Sequence, residues 1–325
     1  MDKLKLGVVG VGHLGKFHAR LAAEIEIIDL VGVYDINQDQ AAKVCADCNS
    51  TPFAELDELL SRVDAVSIVV PTSEHFKVAM AALEQDCHIF IEKPIATSVQ
   101  EADLIIARAR EKNRKIQVGH IERFNPAMLA VKNYNLAPMF IEAHRLSQFN
   151  PRGCDVSVVL DLMIHDLDLI LYMVNSPVTH IDACGVAVVS DTEDIANVRL
   201  KFATGCVANL TSSRISLRSM RRMRLFQKNQ YIAMDFMEKK SDVFMLNQDQ
   251  GQESDGMVVS QIGVGEKARN IVYQKPQVPE VNSLKMELEE FAKAVLLDLA
   301  PEVPGEQGRQ ALEVANTILD KIARP

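Results

Sequence analysis

The sequence has no long apolar run, and this absence excludes a membrane-spanning helix. None of its 325 residues lie in a window that approaches the roughly 18 apolar residues that a transmembrane helix needs. The N-terminal segment MDKLKLGVVG also lacks an apolar stretch followed by a small-residue cleavage site, so we predict a first strand there and not a signal peptide. These absences favour a cytoplasmic protein without a membrane partner.

The sequence also lacks the patterns typical of nucleic-acid and metal binding. Its 35 basic residues are outnumbered by 44 acidic ones, which argues against nucleic acid as the main partner. The six cysteines are scattered, and only Cys45 and Cys48 form a C-x-x-C pair. A zinc site would need a second pair at comparable spacing, and the chain has none. We therefore expect reduced thiols in a cytoplasm and no bound metal.

The first 120 residues alternate short apolar runs with stretches of helical spacing. The runs are rich in Val and Ile and almost continuously hydrophobic, which is typical of parallel strands buried on both faces. Such alternation predicts an α/β fold with a doubly wound parallel sheet. The predicted strands are residues 4–9, 29–34, 65–70, 88–91 and 116–118.

The pattern changes after residue 120. Asn125 and Pro126 are typical of a helix start, with Asn as the cap and Pro at the first helical position, and another helix is predicted over 156–174. From 178 to about 273 one short strand follows another, separated by turn residues. This pattern predicts an α+β region with an open, mostly antiparallel sheet.

These patterns divide the chain into two predicted domains. The first covers residues 1–120 and the second covers residues 121–325. Two helices, at 283–298 and 306–323, close the chain. We expect the last of them to pack back against the first domain.

A glycine-rich loop, GVGHLG at residues 10–15, joins the first predicted strand to the first helix. Gly10 permits a tight turn, Gly12 lets the backbone approach a pyrophosphate at the helix N-terminus, and Gly15 allows the helix to pack closely on the sheet. Asp35, about twenty residues further on, ends the next strand and would accept hydrogen bonds from ribose hydroxyls while repelling a 2′-phosphate. We predict a Rossmann domain that binds NAD in preference to NADP; the alternative is that the glycines serve packing alone.

A second motif, Glu92-Lys93-Pro94, follows the fourth predicted strand. Ligands of an open parallel sheet bind outside the carboxyl ends of its strands, so Lys93 is expected near the nicotinamide end of the cofactor. A cis bond before Pro94 would aim the lysine in a fixed direction. The alternative is a surface lysine that opens a turn.

A third motif lies in the helix predicted over 156–174. Asp161 and His165 are four residues apart, which places them on one helix face that is polar among apolar neighbours. The two side chains form either a functional pair or an ordinary helix-surface pair.

The ordered combination of GVGHLG, IEKP and LDLMIHDLD resembles the glucose–fructose oxidoreductase, inositol dehydrogenase and rhizopine-catabolism (Gfo/Idh/MocA) family over essentially the whole chain. The resemblance implies a dehydrogenase whose active site contains Lys93, Asp161 and His165. Histidine suits the base that removes a hydroxyl proton because its unperturbed pKa lies near neutrality. Asp161 would orient it and Lys93 would stabilise charge developing on the substrate oxygen. The roles of Lys93 and His165 are exchangeable at this stage.

The resemblance includes Pro71, Thr72, His75, His120 and Arg123, whereas the other candidates around the cofactor and the substrate are assigned from their position or chemistry; His75 alternatively caps or packs its helix. The remaining cofactor-binding candidates, beside the glycines, Asp35 and Lys93, are His13, Leu14, Pro71, Thr72, His75 and Glu92. The substrate-binding candidates are His120, Arg123, Arg145 and Arg214. Guanidinium groups suit phosphate oxygens, although arginines on an open sheet also form solvated faces or subunit interfaces.

Three segments, GHIERFNPA, EAHRLSQF and DIANVRLKFATGCVANLTSSR, are similar to bacterial UDP-N-acetylglucosamine 3-dehydrogenases. This similarity implies NAD-dependent oxidation of the C3 hydroxyl of a nucleotide-sugar to a ketone, for lipid A or surface-polysaccharide synthesis. One alternative is a dehydrogenase of a free sugar or polyol such as inositol. Another is an NAD-binding regulator without turnover, against which the intact Lys93, Asp161 and His165 argue.

Apolar residues on the open sheet favour a homo-oligomer. The resemblance implies a homodimer or homotetramer that assembles through this sheet, and an exposed apolar face is typical of such an interface. The residues expected on its outer face are Val186, Val188, Val198, Leu200, Val207 and Leu210.

Overall fold

The contacts in the computed structural model of the protein divide the chain into two compact units. The first unit consists of Met1–Ile121 and Val281–Glu313, and the second of Glu122–Glu280 and Val314–Pro325. The residues that the structure describes are 3–150, 156–247, 256–263 and 268–323, so that Cys154 lies outside them. Within these ranges no helix is both long and apolar enough to cross a membrane.

The first unit is built on a parallel sheet. Its strands in the described ranges are β1 (Leu4–Val9), β2 (Ile28–Tyr34), β3 (Thr51–Phe53), β4 (Ala65–Ile68), β5 (His88–Glu92) and β6 (Ile116–Gly119). They follow the order β3-β2-β1-β4-β5-β6. The intervening helices are α1 (Gly15–Ala23), α2 (Gln38–Cys48), α3 (Leu56–Leu60), α4 (Thr72–Glu84) and α5 (Val99–Glu111). The predicted doubly wound α/β fold is confirmed.

Strand β3 is the one element of this sheet that the sequence patterns did not indicate. It is three residues long, contains Pro52, and pairs only with β2 at one edge of the described sheet. Proline is tolerated there because an edge strand does not need every backbone N–H. A run this short carries no periodicity.

The chain returns to the first unit after residue 280. Helix α8 (Ser283–Leu296) contacts α1 and β1. Its side chains Leu288 and Phe291 are fully buried in one cluster with Leu4, Leu6 and Phe90. Each such side chain contributes about 1.5–3 kcal/mol when it leaves water. Residues 281–313, which the sequence-based division assigned to the second domain, therefore pack with the first unit.

The second unit contains a large, mostly antiparallel sheet, as predicted. Its strands among the described residues are β7 (Phe140–Leu146), β8 (Val178–Val186), β9 (Ile195–Phe202), β10 (Val207–Ser213), β11 (Met220–Gln227), β12 (Gln230–Asp235), β13 (Lys240–Asn247), β14 (Met257–Ile262) and β15 (Arg269–Gln274). Their order is β14-β15-β13-β12-β11-β7-β10-β9-β8. Strand β7, which was not predicted, lies between β11 and β10 and pairs with β10 in parallel.

The helices of the second unit lie in the segment before β8 and at the chain end. Helix α6 (Pro126–Leu129) begins where expected, because the Asn125 side chain accepts a hydrogen bond from the Ala127 N–H at 3.0 Å. A π-helical turn, Val159–Met163, leads into α7 (Ile164–Val174). Helix α9 (Gly305–Ala323) closes the chain, and its residues up to Glu313 belong to the first unit.

The outer face of the large sheet differs from the expected one. Val198, Leu200 and Leu210 are fully buried on the inner face, because side chains alternate between the two faces of a strand. Val186 is exposed as expected and Val207 is half-buried, whereas Val188 is exposed but follows the end of β8. The outer face also has a row of five aromatic rings, each on a different strand. The centroids of neighbouring rings lie 5.0–5.8 Å apart. The row is Phe140, Phe226, Tyr231, Phe244 and Tyr273.

Candidate active site

The glycine loop has the geometry that a dinucleotide needs. Gly10 has a φ of +85°, and its N–H donates to the Tyr34 carbonyl at 2.8 Å, which closes the turn onto β2. A Cβ on Gly15 would lie 1.9 Å from the Gly10 carbonyl oxygen, so α1 packs too closely for any side chain. A Cβ on Gly12 would meet nothing within 4 Å. The backbone at Gly12 therefore faces open space at the N-terminus of α1, which fits a pyrophosphate.

Asp35 has two tasks at the end of β2. Its Oδ2 accepts the Val11 N–H at 2.7 Å and its Oδ1 accepts the Asn37 N–H at 2.8 Å. The carboxylate thus holds the backbone of the glycine loop at Val11. A carboxylate has about four lone-pair positions, so these two bonds leave acceptor capacity for ribose hydroxyls. This residue fits the predicted NAD contact and adds a structural reason for a carboxylate at that position.

His13 and Leu14 lie on the solvent side of the same loop. Both are exposed, Leu14 by 52%, and the His13 ring meets Phe17 edge-on with centroids 6.1 Å apart. Their exposure beside Gly12 is consistent with the predicted cofactor contacts, which stay predictions.

The segment after β4 opens helix α4. Pro71 is the residue before the helix and Thr72 its first residue, so both lie at the carboxyl edge of the sheet. His75 is 1% exposed; its Nδ1 lies 2.9 Å from the Pro94 carbonyl oxygen and its Nε2 lies 3.0 Å from that of Val70. Burial lowers the pKa of His75, although these carbonyls oppose the shift. The ring joins two loops of the protein, and its predicted cofactor contact stays a prediction.

The Glu92-Lys93-Pro94 motif lies at the carboxyl end of β5, as predicted, and the Lys93–Pro94 bond is cis. Glu92 accepts the Lys93 N–H through Oε2 at 3.3 Å, and its Oε1 lies 3.1 Å from the Nε2 of His18. Burial acts to raise the pKa of Glu92, but His18 and Lys93 outweigh it and hold that pKa below its ordinary value. Glu92 is therefore an ionised carboxylate beside Lys93.

His18 is a polar residue of this corner that is not among the predicted cofactor-binding or catalytic residues. It lies in α1, is 1% exposed, and its other ring nitrogen lies 2.9 Å from the Ser67 hydroxyl. Its partners are 49 and 74 positions away along the chain, so no local pattern could have indicated the contacts.

In the second unit, Asp161 and His165 flank the junction between the π-helical turn and α7. Asp161 is within the turn and His165 is the second residue of α7. Both are partly exposed, whereas Met163 and Ile164 between them are fully buried. The prediction assumed an unbroken α-helix. The π-helical turn is wider than an α-helical one, so the two side chains are not related by regular α-helical spacing. Such turns are frequent at functional sites.

Arg123 and Arg145 are bound by buried carboxylates of the second unit, and their predicted substrate contacts stay predictions. Arg123 donates from Nε and Nη2 to Asp168, both at 2.7 Å, and stacks 4.1 Å above the Tyr172 ring. Arg145 donates to both oxygens of Asp166 and to Glu122 at 2.7–3.0 Å. All these charged groups are almost fully buried. Bidentate pairs of this kind use guanidinium donors that could otherwise bind a phosphate.

The two remaining substrate candidates are also buried. Arg214 is 4% exposed; it donates to the Val156 carbonyl and its Nε lies 3.8 Å from Asp194. These contacts hold the end of β10. His120 is 1% exposed and directly follows β6, at the edge of the sheet where ligands of parallel sheets bind.

The open glycine loop and Asp35, both in the first unit, fit a dinucleotide and define the class of protein as a nicotinamide-dependent oxidoreductase. Comparison with protein families agrees. Residues 4–120 match the oxidoreductase family with an NAD-binding Rossmann fold, and residues 118–231 match the Gfo/Idh/MocA C-terminal domain. The chain belongs to the Gfo/Idh/MocA oxidoreductase family and is an NAD-dependent dehydrogenase.

Individual relatives extend the likeness over the whole chain. The chain is 37% identical over 316 residues to UDP-N-acetylglucosamine 3-dehydrogenase of Acidithiobacillus ferrooxidans, covering 97% of this chain and 96% of the relative. A solved structure of that enzyme superimposes with a TM-score of 0.88, covering 99% and 98% of the two chains at 36% identity. A scyllo-inositol 2-dehydrogenase (NAD(+)) of Bacillus subtilis is 26% identical, over 66% of this chain and 68% of its own.

Proposed function

We propose that the protein oxidises the C3 hydroxyl of UDP-N-acetylglucosamine to a ketone with NAD, in lipid A or surface-polysaccharide synthesis. The observation that carries this proposal is the 37% identity to a UDP-N-acetylglucosamine 3-dehydrogenase over nearly the full length of both chains. The inositol dehydrogenase relative is less similar to the chain, at 26% identity. A nucleotide-sugar is therefore a better candidate than a free polyol.

The proposed chemistry assigns one task to each catalytic side chain. Bound NAD supplies the acceptor for the hydride that leaves the carbinol carbon. His165 removes the hydroxyl proton, so that the C–H electron pair leaves as hydride and a C=O bond forms. Asp161 orients the imidazole and stabilises its protonated form. Lys93 donates a hydrogen bond to the substrate oxygen while negative charge develops on it.

The proposal revises the substrate-binding set. We retain His120, because it follows β6 at the ligand edge of the parallel sheet. Arg123, Arg145 and Arg214 are proposed to stabilise the second unit, because carboxylates and backbone carbonyls already bind their guanidinium groups. For the cofactor, the proposal keeps the glycine loop with His13 and Leu14, Asp35, Pro71, Thr72 and Lys93.

The proposal includes a cytoplasmic homo-oligomer. Five cysteines of the described residues are free thiols, which suits a reducing compartment. The half-buried aromatic row on the outer face of the large sheet provides the kind of surface that a second subunit covers, because aromatic side chains are enriched in such interfaces. Sedimentation or light scattering gives the number of subunits.

The test is a substrate comparison. The purified protein is incubated with NAD and UDP-N-acetylglucosamine, free N-acetylglucosamine or inositol, and NADH absorbance is followed. A product lighter by two hydrogens is sought by mass spectrometry, with a second run containing 2-oxoglutarate to reoxidise tightly held NADH. We expect turnover with the nucleotide-sugar. Turnover with free sugars or inositol alone would overturn the proposal. The Lys93→Ala and His165→Ala variants serve as matched inactive controls.

A further inference from the structure

A continuous line of polar groups is buried beneath the Glu92-Lys93-Pro94 motif. It runs from the Ser67 hydroxyl in β4 to His18 in α1 and from there to the Glu92 carboxylate at the end of β5. Ser67 is fully buried and His18 is 1% exposed. Polar groups are placed at such a depth only when their hydrogen bonds offset the loss of water. Both ring nitrogens of His18 are engaged, at 2.9 and 3.1 Å.

The contacts determine which nitrogen carries the proton. Because the pKa of Glu92 is held low, its carboxylate is ionised and only accepts hydrogen bonds. The Nε2 of His18 must therefore donate to it. The Ser67 hydroxyl satisfies Nδ1 in either protonation state, since a hydroxyl both donates and accepts. His18 is thus a fixed donor aimed at Glu92.

Glu92 is confined on its other sides as well. Its second oxygen accepts the backbone N–H of Lys93 at 3.3 Å. On the β6 side, a Cβ on Gly119 would lie 3.0 Å from the carboxylate, so glycine provides the room that this carboxylate occupies. The Phe90 ring packs edge-on against His18 with centroids 5.5 Å apart. The carboxylate is therefore held in one orientation directly beside Lys93.

A serine, a histidine and a carboxylate in line are also the parts of a nucleophilic triad, but this line is not one. Ser67 is inside β4 with no exposed surface, so no substrate reaches its hydroxyl. The line ends at Glu92, which is the last residue of β5 and the residue next to Lys93. Its effect on chemistry is therefore exerted through Lys93.

We propose that His18 is a positioning residue for the catalytic lysine and acts through Glu92. By donating to the carboxylate, it keeps Glu92 turned toward the protein interior and the Lys93 backbone. Without that donor, an under-bonded carboxylate lies beside the Lys93 ammonium and competes with the substrate oxygen for it. This inference rests on the proposed role of Lys93 in the oxidation.

A matched pair of variants separates the two ring nitrogens. In His18→Asn the amide nitrogen takes the place of Nδ1, keeps the group that faces Ser67 and loses the donor to Glu92. In His18→Gln the amide nitrogen reaches the place of Nε2 and keeps that donor. We expect His18→Asn to lower kcat about tenfold to hundredfold with KM and the NAD Kd within about threefold, and His18→Gln to retain most of kcat.

The double variant His18→Asn/Glu92→Gln provides a readout that a merely structural role would not move. Removing the competing charge is expected to recover at least about threefold in kcat over His18→Asn alone. Leu59→Ala, which empties a buried position in α3, serves as a destabilised control and is expected to leave kcat unchanged while the protein is folded. If His18→Asn and the double variant turn over alike, the proposal is overturned.

A second measurement does not need the substrate. The Lys93 amine is labelled with trinitrobenzenesulfonate, and the modified peptide is quantified by mass spectrometry. We expect labelling to slow in His18→Asn and to recover in His18→Gln and in the double variant. If the labelling follows this order but no nucleotide-sugar is oxidised, the proposed function fails and this inference stands. If the nucleotide-sugar is oxidised but His18→Asn labels and turns over like the wild type, this inference fails alone.

Discussion

The β5 corner of the first unit and the arginine layer of the second unit both bury charged groups, but they use them differently. At the β5 corner, the Glu92 carboxylate is bound by a histidine and a backbone N–H. In the arginine layer, Arg123 and Arg145 are bound by carboxylates in bidentate pairs. The two regions differ in the partners of their charged residues. Those partners, more than the residue type, distinguish a candidate catalytic residue from a residue that stabilises the fold. Four predictions examine this difference.

The largest effect is expected at the proposed catalytic groups. Lys93→Ala and His165→Ala should each lower kcat by about 10²–10⁴-fold, because proton transfer and charge stabilisation are lost from the transition state. The NAD Kd should change little, and it is measured by isothermal titration calorimetry. Unchanged turnover in both variants would contradict the assignment and remove the contrast between the two regions.

The arginine layer should respond in stability. Arg145→Ala leaves Asp166 buried without its cation and leaves Glu122 with Arg221 as its cation, so we expect the free energy of unfolding to fall by about 3–5 kcal/mol. Arg222→Ala is the matched control, because its exposed pair with Asp235 should contribute less than about 1 kcal/mol. Urea denaturation measures both. If Arg145→Ala has wild-type stability and a raised KM for the sugar, the stability prediction is wrong and Arg145 binds the substrate.

Cofactor choice should depend on Asp35. Asp35→Ser removes the charge that repels a 2′-phosphate, so we expect the ratio of kcat/KM for NADP to that for NAD to rise by about tenfold or more. Because Asp35 also binds the Val11 N–H, the NAD Kd itself should increase. Steady-state kinetics with both cofactors test this. An unchanged ratio would mean that Asp35 serves only to fix the loop.

The smallest effect concerns pH and a histidine outside the site. Burial, with Arg114 and Lys115 nearby, lowers the pKa of His88 to about 4. Since the pKa of an unfolded histidine is about 6.5, the unfolded chain binds more protons between these values. The stabilisation is present above about pH 6.5 and is lost as pH falls toward about 4. His88→Gln should flatten the dependence of Tm on pH in this window; an equally steep profile would assign the dependence to other groups.

Local patterns were sufficient for most of the fold and for the motifs of the site. The five longer strands of the first unit were predicted because runs buried on both faces are continuously hydrophobic. The glycine loop was predicted because its backbone requires glycine for local reasons. Gly10 has a positive φ, and Gly15 lies too close to the Gly10 carbonyl oxygen for a side chain. Strand β7 was missed because it contains the polar residues Glu142 and Arg145. Arg145 occupies one of its buried positions, so the sequence does not show the alternation of apolar and polar residues that predicts a strand.

Three features of this protein follow from its sequence alone: the alternation of strands and helices, the dinucleotide loop and the order of the three motifs. These depend on interactions between residues close together in the chain. The tertiary structure alone decided which carboxylates bind Arg123 and Arg145, that residues 281–313 pack with the first unit, and that His18 lies against Glu92. These depend on contacts between distant segments, whose free energy is gained only when the sheet and helices bury them together.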